Sequence, residues 1–205
     1  MHTIRLPLAA NTSRGSGGVK PPAAGRLNAQ QSGRYVSAFR YRGLTKGRIM
    51  THHCIPFDQD VVNALRAGGP DAYGNPAEQA ISDGAGNPCR SCLHDIPKHA
   101  AMLICAARPF PVAQPYAETG PIFLCADACT PWAGTGLPPV LKTSPDYLLK
   151  GYGADHRIVY GTGQITRWQD IAQVTTGLLA QSNVAYVDVR SARNNCFQTR
   201  IIPDT

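Results

Sequence analysis

Hydrophobic and polar positions alternate most clearly in the C-terminal third of the chain. Residues 184–192 (VAYVDVRSA) alternate with the period of two that a half-buried strand requires. Residues 196–202 are expected to pair with them through a turn at 193–195. Residues 146–152 and 156–163 flank a Gly-Ala-Asp turn and predict a second hairpin.

Two segments have the period of a helix. One begins near residue 58, where Asp58 or Asp60 serves as the cap, and ends at Gly68-Gly69. The other follows TRWQ at 166–169, which matches the capping-box pattern, and ends near residues 181–183. Its apolar side is predicted to hold Trp168, Ile171, Ala172, Leu178 and Leu179.

The remaining segments complete the predicted fold. Residues 101–110 and 120–126 are predicted to be buried strands, and the Gly- and Pro-rich residues 69–88 and 130–144 long loops. Ordered structure is expected to begin near Tyr35, where the alternation of residues predicts a short strand. The order of elements predicts an α+β fold, with a mainly antiparallel sheet and two or three helices, in a single domain over residues 35–205.

Charge is distributed unevenly along the 205 residues. The net charge is +7, yet residues 1–57 contain no Asp or Glu and hold nine of the 20 Lys and Arg. We expect residues 1–34 to be a disordered basic leader, because they hold few large apolar groups. The rest of the chain is slightly acidic, which argues against a nucleic-acid-binding domain.

The sequence has no apolar run of the ~20 residues that cross a bilayer, and its first residues do not resemble a secretory signal. We therefore expect a soluble, cytoplasmic protein without a membrane partner. Its oligomeric state is open. In that compartment thiols are reduced by default.

The seven cysteines include two close pairs, Cys89-x-x-Cys92 and Cys125-x-x-x-Cys129. Four such thiolates form a zinc site when the two pairs meet. Against zinc, the 32 residues between the pairs exceed the usual ribbon spacing, and neither pair carries a knuckle glycine. A redox pair would need a helix after Cys92, where Pro97 leaves little room. The sequence favours free, mostly buried thiols, with no cofactor.

The second candidate site is a set of arginines. Arg190 and Arg193 are predicted at the end of a strand and in the turn after it, and guanidinium groups bind carboxylates or phosphates in a bidentate manner. A small anionic ligand would bind the set Arg90, Tyr116, Glu118, Arg190 and Arg193. The alternative, which the sequence favours for these arginines and for Arg200 on the adjoining predicted strand, is salt bridges to Asp188, Glu118 or loop carbonyls.

Several motifs together resemble a known family. These are Pro88-Cys89-Arg90-x-x-Leu93, Pro115-Tyr116, residues 120–123 (GPIF), Val184-Ala185-Tyr186, and Cys196-Phe197-x-x-Arg200. They resemble the uncharacterised bacterial family catalogued as domain of unknown function 1203, from about Phe39 to Ile202. The resemblance brings no activity, substrate or cofactor.

The resemblance also bears on the cysteines. The family pattern keeps Cys89 and Cys196, often replaces Cys92 with another residue such as serine, and has a glycine where this chain has Asn195. Both departures argue against a metal site that needs Cys92 and imply a local role for Cys89, with Cys196 as a neighbour. The expectation is a binding or structural protein, with a zinc-binding protein or hydrolase built on the four cysteines as the alternative.

Overall fold

The computed structural model describes residues 51–204. This part of the chain contains eight strands and two α-helices. In chain order they are β1 His52–Ile55, α1 Gln59–Arg66, β2 Glu78–Ile81, β3 Ala101–Ala107, β4 Gly120–Cys125, β5 Asp146–Tyr152, β6 Gln164–Arg167, α2 Ile171–Leu179, β7 Tyr186–Ser191 and β8 Phe197–Pro203. All pairings between these strands are antiparallel. The predicted α+β class is confirmed.

The larger sheet has the order β1-β8-β7-β5-β6 and two unlike faces. One face is apolar, because Leu149, Val189 and their neighbours of the same parity point to that side of the strands. It packs against the buried side of α2, which consists of Ile171, Thr175, Leu178 and Leu179. The apolar stripe of a short helix thus covers one face of the sheet.

The opposite face of this sheet is polar and aromatic. Lys150 lies opposite Asp188, Asp188 lies opposite Arg200, and directly opposed residues share a face. A bulge in the pairing of β7 with β8 then sets Arg190 opposite Phe197. Bulges re-aim side chains where pairing is locally broken, and this one brings Arg190 to the edge of a pocket described below.

The smaller sheet has the order β2-β3-β4 and packs against α1. Its apolar cluster contains Val62 and Leu65 from α1, together with Ile122 and Leu124 from β4. The same cluster includes Phe197 from β8. This second core therefore reaches the larger sheet through Phe197.

Helix α1 follows the sequence prediction closely, and the structure selects its cap. The Asp58 carboxylate accepts hydrogen bonds from the backbone N–H groups of Asp60 and Val61, at 2.9 and 3.3 Å. Asp60 instead lies in the first turn. The chain leaves the helix through Gly68, whose φ of +85° suits glycine.

The prediction of a continuous loop at 69–88 is wrong, because this segment contains strand β2. Residues Glu78–Ile81 pair with β3, and Ile81 is exposed on the sheet edge. The segment EQAI has one β-branched residue and does not alternate between buried and exposed positions. Backbone pairing with β3 at the edge of the sheet stabilises this strand, and such pairing leaves little pattern in the sequence.

The predicted second hairpin forms only next to its turn. Residues 151–153 pair antiparallel with residues 157–159 through a bridge between Tyr152 and Ile158 and two backbone hydrogen bonds of 2.9 Å, whereas residues 146–149 of β5 pair with β6, residues Gln164–Arg167. The hydroxyl of Thr162 accepts a hydrogen bond from the Gly151 N–H at 2.9 Å. Residues 156–163 therefore form a turn-rich connection beside β5.

The capping box at 166–169 does not form. Thr166 lies in β6, its hydroxyl has no hydrogen-bond partner among the described residues, and a 3-10 turn over Trp168–Asp170 precedes α2. Asp170 is the N-cap residue, without a side-chain cap. The helix ends at Leu179, earlier than predicted, and Ala172 is exposed. Strand pairing overrode the local capping signal.

The predicted leader and the predicted strand near Tyr35 lie outside the described residues. Within residues 51–204, none of the helices combines the length and the apolar character needed to reach across a lipid bilayer.

Replacing the cap of α1 should destabilise the fold measurably. Asp58→Ala removes an acceptor from two helix N–H groups and should cost about 1 kcal/mol of unfolding free energy, measured by urea denaturation. Asp60→Ala is the matched control, because its carboxylate caps no N–H group. An equal loss in both variants would contradict the assignment of Asp58 as the cap.

Candidate metal centre and arginine pocket

Four cysteine side chains converge at one edge of the smaller sheet. The Sγ atoms of Cys89, Cys92, Cys125 and Cys129 all lie within 4.8 Å of one another, and those of Cys89 and Cys129 are 3.9 Å apart. The four residues therefore form a cluster of soft ligands with the donor atoms of a candidate metal site.

A tight turn positions the first pair. The Leu93 N–H donates to the Cys89 carbonyl at 3.0 Å, and the Cys89 N–H donates to the His94 carbonyl at 2.9 Å. Leu93 has a φ of +53°, the left-handed conformation that a glycine would supply after the second cysteine. That conformation costs a non-glycine residue about 1–2 kcal/mol. The complete burial of the Leu93 side chain offsets this cost.

Strand β4 positions the second pair against that turn. The Arg90 N–H donates to the Phe123 carbonyl at 3.0 Å, and the Cys125 N–H donates to the Cys89 sulfur at 3.3 Å. Phe123 and Cys125 share one face of β4 and are half-buried, whereas Leu124 between them is fully buried. The face that carries Cys125 is therefore the face toward the cysteine turn.

Contacts within the cluster shift the pKa values of the Cys89 and Cys125 thiols in opposite directions. Contacts with Cys125 and then Cys92 hold the pKa of the Cys89 thiol well below its ordinary range, although burial acts in the opposite direction. Contact with Cys89 correspondingly raises the pKa of the Cys125 thiol. Cys89 is therefore the position where a thiolate, the form that binds metals, is most favoured.

Two guanidinium groups flank the cluster. The Arg66 Nη2 lies 3.0 Å from the Cys129 sulfur, and its Nε donates to the Cys125 carbonyl at 3.1 Å. Arg90 is 2% exposed and donates from Nε to the Phe197 carbonyl at 2.6 Å and from Nη1 to the Pro88 carbonyl. Burial lowers the pKa of Arg90 to about 10, and the nearby thiols of Cys196 and Cys89 oppose that shift.

The structure brings together two of the five residues of the proposed anion site. The Arg190 Nη2 lies 2.9 Å from Glu118 Oε2. Arg193 is exposed in the turn after β7, and Tyr116 contacts Tyr160 elsewhere, with the two hydroxyls 3.2 Å apart. Arg90 reaches the Phe197 carbonyl but does not line the pocket beside Arg190.

Arg200 and Asp188 form a buried ion pair on the polar face of the larger sheet. The Nε and Nη2 atoms of Arg200 donate to the two carboxylate oxygens of Asp188 at 2.7 and 3.2 Å, and Asp188 is fully buried. Burial raises the pKa of Asp188, against the opposing effect of Arg200. The two-pronged geometry is that of an ionised carboxylate. One alternative read from the sequence, an ion pair with Asp188, thus describes Arg200.

Sequence reasoning missed several residues that complete these sites. Arg66 carried one signal, a basic residue in the last helical turn, which indicates a favourable helix end and nothing about sulfur. Lys150 donates to Glu118 at 2.8 Å and Asn195 donates to the same carboxylate at 3.0 Å. Asn195 has a φ of +56° where the family pattern has glycine, a conformation that asparagine tolerates.

The described residues thus define an α+β domain with a four-cysteine cluster and a buried arginine–carboxylate network. The chain belongs to the family described as "Protein of unknown function (DUF1203)", whose family model matches residues 86–202, more than half of the chain. The match includes both sites except Arg66, and it begins later than Phe39. The family description assigns no activity, so the function of the chain is unknown. Neither a curated protein nor a solved structure matches it.

The Asp188–Arg200 pair should dominate the electrostatic contribution to stability. Asp188→Asn leaves buried guanidinium groups without their counter-charge and should lower the unfolding free energy by about 3–5 kcal/mol in urea denaturation. Asp170→Asn is the matched control, because Asp170 forms an exposed pair with Arg167 at 3.0 Å, which is worth under about 1 kcal/mol. Similar losses in the two variants would show that burial does not strengthen the inner pair.

Proposed function

We propose that the chain binds one zinc ion through the thiolates of Cys89, Cys92, Cys125 and Cys129, and that the ion acts structurally. The observation that supports this proposal is the approach of all four Sγ atoms to within 4.8 Å of one another. A tetrahedral site with Zn–S bonds of about 2.3 Å has S–S edges of about 3.8 Å. The 3.9 Å between Cys89 and Cys129 agrees with such an edge.

The charges around the cluster support the same proposal. Four thiolates and a Zn²⁺ ion carry a net charge of −2, which requires compensation in a partly buried place. Arg66 and Arg90 supply two positive charges there. Among the described residues, neither makes an ion pair with a carboxylate. Arg66 contacts the Cys129 sulfur directly, and the charge of Arg90 acts on Cys196 and then on Cys89 of the cluster.

The proposed role of the ion is to cross-link two distant segments. The turn at Cys89–Cys92 and the end of β4 are separated by a long stretch of chain, and a bound metal favours the folded state by its own binding free energy. A hydrolytic role is not favoured, because a catalytic zinc ion needs a position open to water and four cysteine ligands fill the tetrahedron.

Metal analysis tests the proposal. Protein purified without a chelator should contain about one zinc per chain, and Cys129→Ser should lose most of it because one of the four ligands is removed. Removal of zinc with a chelator should lower the melting temperature of the wild type. Substitution with Co²⁺ should give the visible absorption of a tetrahedral thiolate complex.

Cys196→Ser is the matched control, because Cys196 is half-buried and lies outside the four-cysteine cluster. It should keep the zinc content of the wild type. A wild-type content below about a tenth of an equivalent would overturn the proposal. Iron in place of zinc would retain a metal site and overturn the choice of metal.

Arg66 should strengthen zinc binding without being a ligand. Arg66→Gln removes the charge 3.0 Å from the Cys129 sulfur and should weaken zinc affinity by about tenfold, the usual size of such outer-shell effects. Competition with a coloured chelator measures this change. Arg157→Gln, at an exposed arginine, is the control and should leave the affinity unchanged. Equal affinities in both variants would remove Arg66 from the site.

A further inference from the structure

A small pocket of about 160 Å³ lies where the start of β4 meets the turn between β7 and β8. Pro109 and Phe197 form part of its apolar wall. The polar residues of its lining are Glu118, Thr119, Arg190, Asn194 and Asn195, and the thiol-bearing residue is Cys196. Its volume suits a molecule of a few non-hydrogen atoms. None of the four clustered cysteines lines it.

Arg190 is the notable group in this lining. Its side chain is 3% exposed, and Nη1 donates to the Asn195 carbonyl at 3.0 Å. Its Nε and Nη2 atoms have no hydrogen-bond partner among the described residues. These two atoms form the edge of a guanidinium that grips a carboxylate or phosphate side-on. On the next strand, the same edge of Arg200 is occupied by Asp188.

Glu118 lies close to this edge but accepts no aligned hydrogen bond from its N–H groups. Its Oε2 is 2.9 Å from Arg190 Nη2, yet without the alignment of a hydrogen bond. The Glu118 oxygens instead accept from Lys150 at 2.8 Å, from Asn195 at 3.0 Å and from the Tyr152 hydroxyl at 3.3 Å. The carboxylate therefore has its own set of donors, and the Nε of Arg190 remains without an acceptor.

The local charges leave room for one more anion. Arg190, Arg200 and Lys150 carry three positive charges, and Glu118 and Asp188 carry two negative ones. One positive charge is thus uncompensated in a largely buried place. Burying an unpaired charge is costly, and a small anion in the pocket would compensate it.

We propose that this pocket binds a small carboxylate- or phosphate-bearing molecule, with its anionic group on the Nε–Nη2 edge of Arg190 and its remaining atoms beside the thiol of Cys196. This site is independent of the metal cluster. Of the five residues that the sequence nominated, the pocket uses Arg190 and Glu118, and it adds Asn194, Asn195 and Cys196.

Two alkylating reagents of similar size test the proposal. Iodoacetate carries a carboxylate and iodoacetamide is neutral; with either, the Cys196 sulfur forms a bond to carbon, iodide leaves, and the thiol proton passes to solvent. A cation placed to hold the carboxylate should raise the ratio of the iodoacetate rate to the iodoacetamide rate at Cys196. The ratio should fall by about tenfold in Arg190→Gln.

Mass spectrometry can follow Cys196 alone. Trypsin releases residues 194–200, which contain Cys196 and no other cysteine. Residues 49–66 contain only Cys54, which is buried and whose pKa burial raises to about 12. Slow labelling of Cys54 therefore shows that the wild type and each variant remain folded during the reaction.

Arg193→Gln is the matched control, because Arg193 is an exposed cation in the same turn and does not line the pocket. Here Cys196 is read from residues 191–200. The control should keep the wild-type ratio. Equal falls in both variants would indicate only the general field of the turn, and an unchanged ratio in Arg190→Gln would remove Arg190 from the site; either result overturns the proposal.

A measurement on the wild type does not depend on how well the variants fold. Acetate or inorganic phosphate should protect Cys196 from the neutral iodoacetamide in a saturable manner, whereas chloride at the same ionic strength should not. Acetate alone would identify a carboxylate site, and phosphate alone a phosphate site. Protection by neither anion beyond that by chloride would overturn the proposal.

Discussion

The buried guanidinium of Arg90 imposes the constraint on which both candidate sites depend. A charged group with five N–H donors cannot be buried unless acceptors surround it, and Arg90 obtains one of them, the Phe197 carbonyl, from β8. Its own main chain bonds to Phe123 in β4 and accepts from the Phe57 N–H at 2.8 Å. A single residue in the turn that follows Cys89 thus connects both sheets with the start of α1.

The two sites use their arginines differently because their negative groups differ. At the cysteine cluster, Arg66 lies against the Cys129 sulfur and Arg90 donates to backbone carbonyls, so neither charge has a carboxylate partner and, as proposed, a metal–thiolate complex compensates them. On the polar face of the larger sheet, Arg200 makes two hydrogen bonds to Asp188, whereas Arg190 shares Glu118 with Lys150 and lies 3.9 Å from Asp188. Of these two arginines, Arg190 has the less complete set of hydrogen bonds, and it lines the small pocket beside Cys196.

Local patterns identified most of the fold. The cap at Asp58 and the strand with its neighbour across residues 193–195 depend on residues close in sequence, and the sequence contained both. Strand β2 was missed because an edge strand gains its order from a partner and shows little alternation of its own. The capping signal at Thr166 was misleading because Thr166 pairs with Tyr147 of β5 and is therefore part of a strand.

The candidate sites were harder to predict, because they depend on long-range approach. Spacing identified both cysteine pairs, but only the docking of the turn on β4 brings their sulfur atoms within 4.8 Å. The missing glycine counted against a metal knuckle, since nothing in the sequence shows that Leu93 adopts the left-handed backbone in its place. Similarly, Arg190 and Glu118 are far apart along the chain, and the residues that complete their contact, Lys150 and Asn195, carry no distinctive pattern.

The backbone of Leu93 has a consequence for the order in which the cysteine turn assembles. A turn with glycine at this position can close on its own and collect a metal early, but a leucine disfavours that shape until its side chain is buried. Burial of Leu93 requires the core beneath α2 and the larger sheet. The proposed metal site should therefore assemble late, after long-range packing, so that metal binding would report on a finished domain and would not nucleate it.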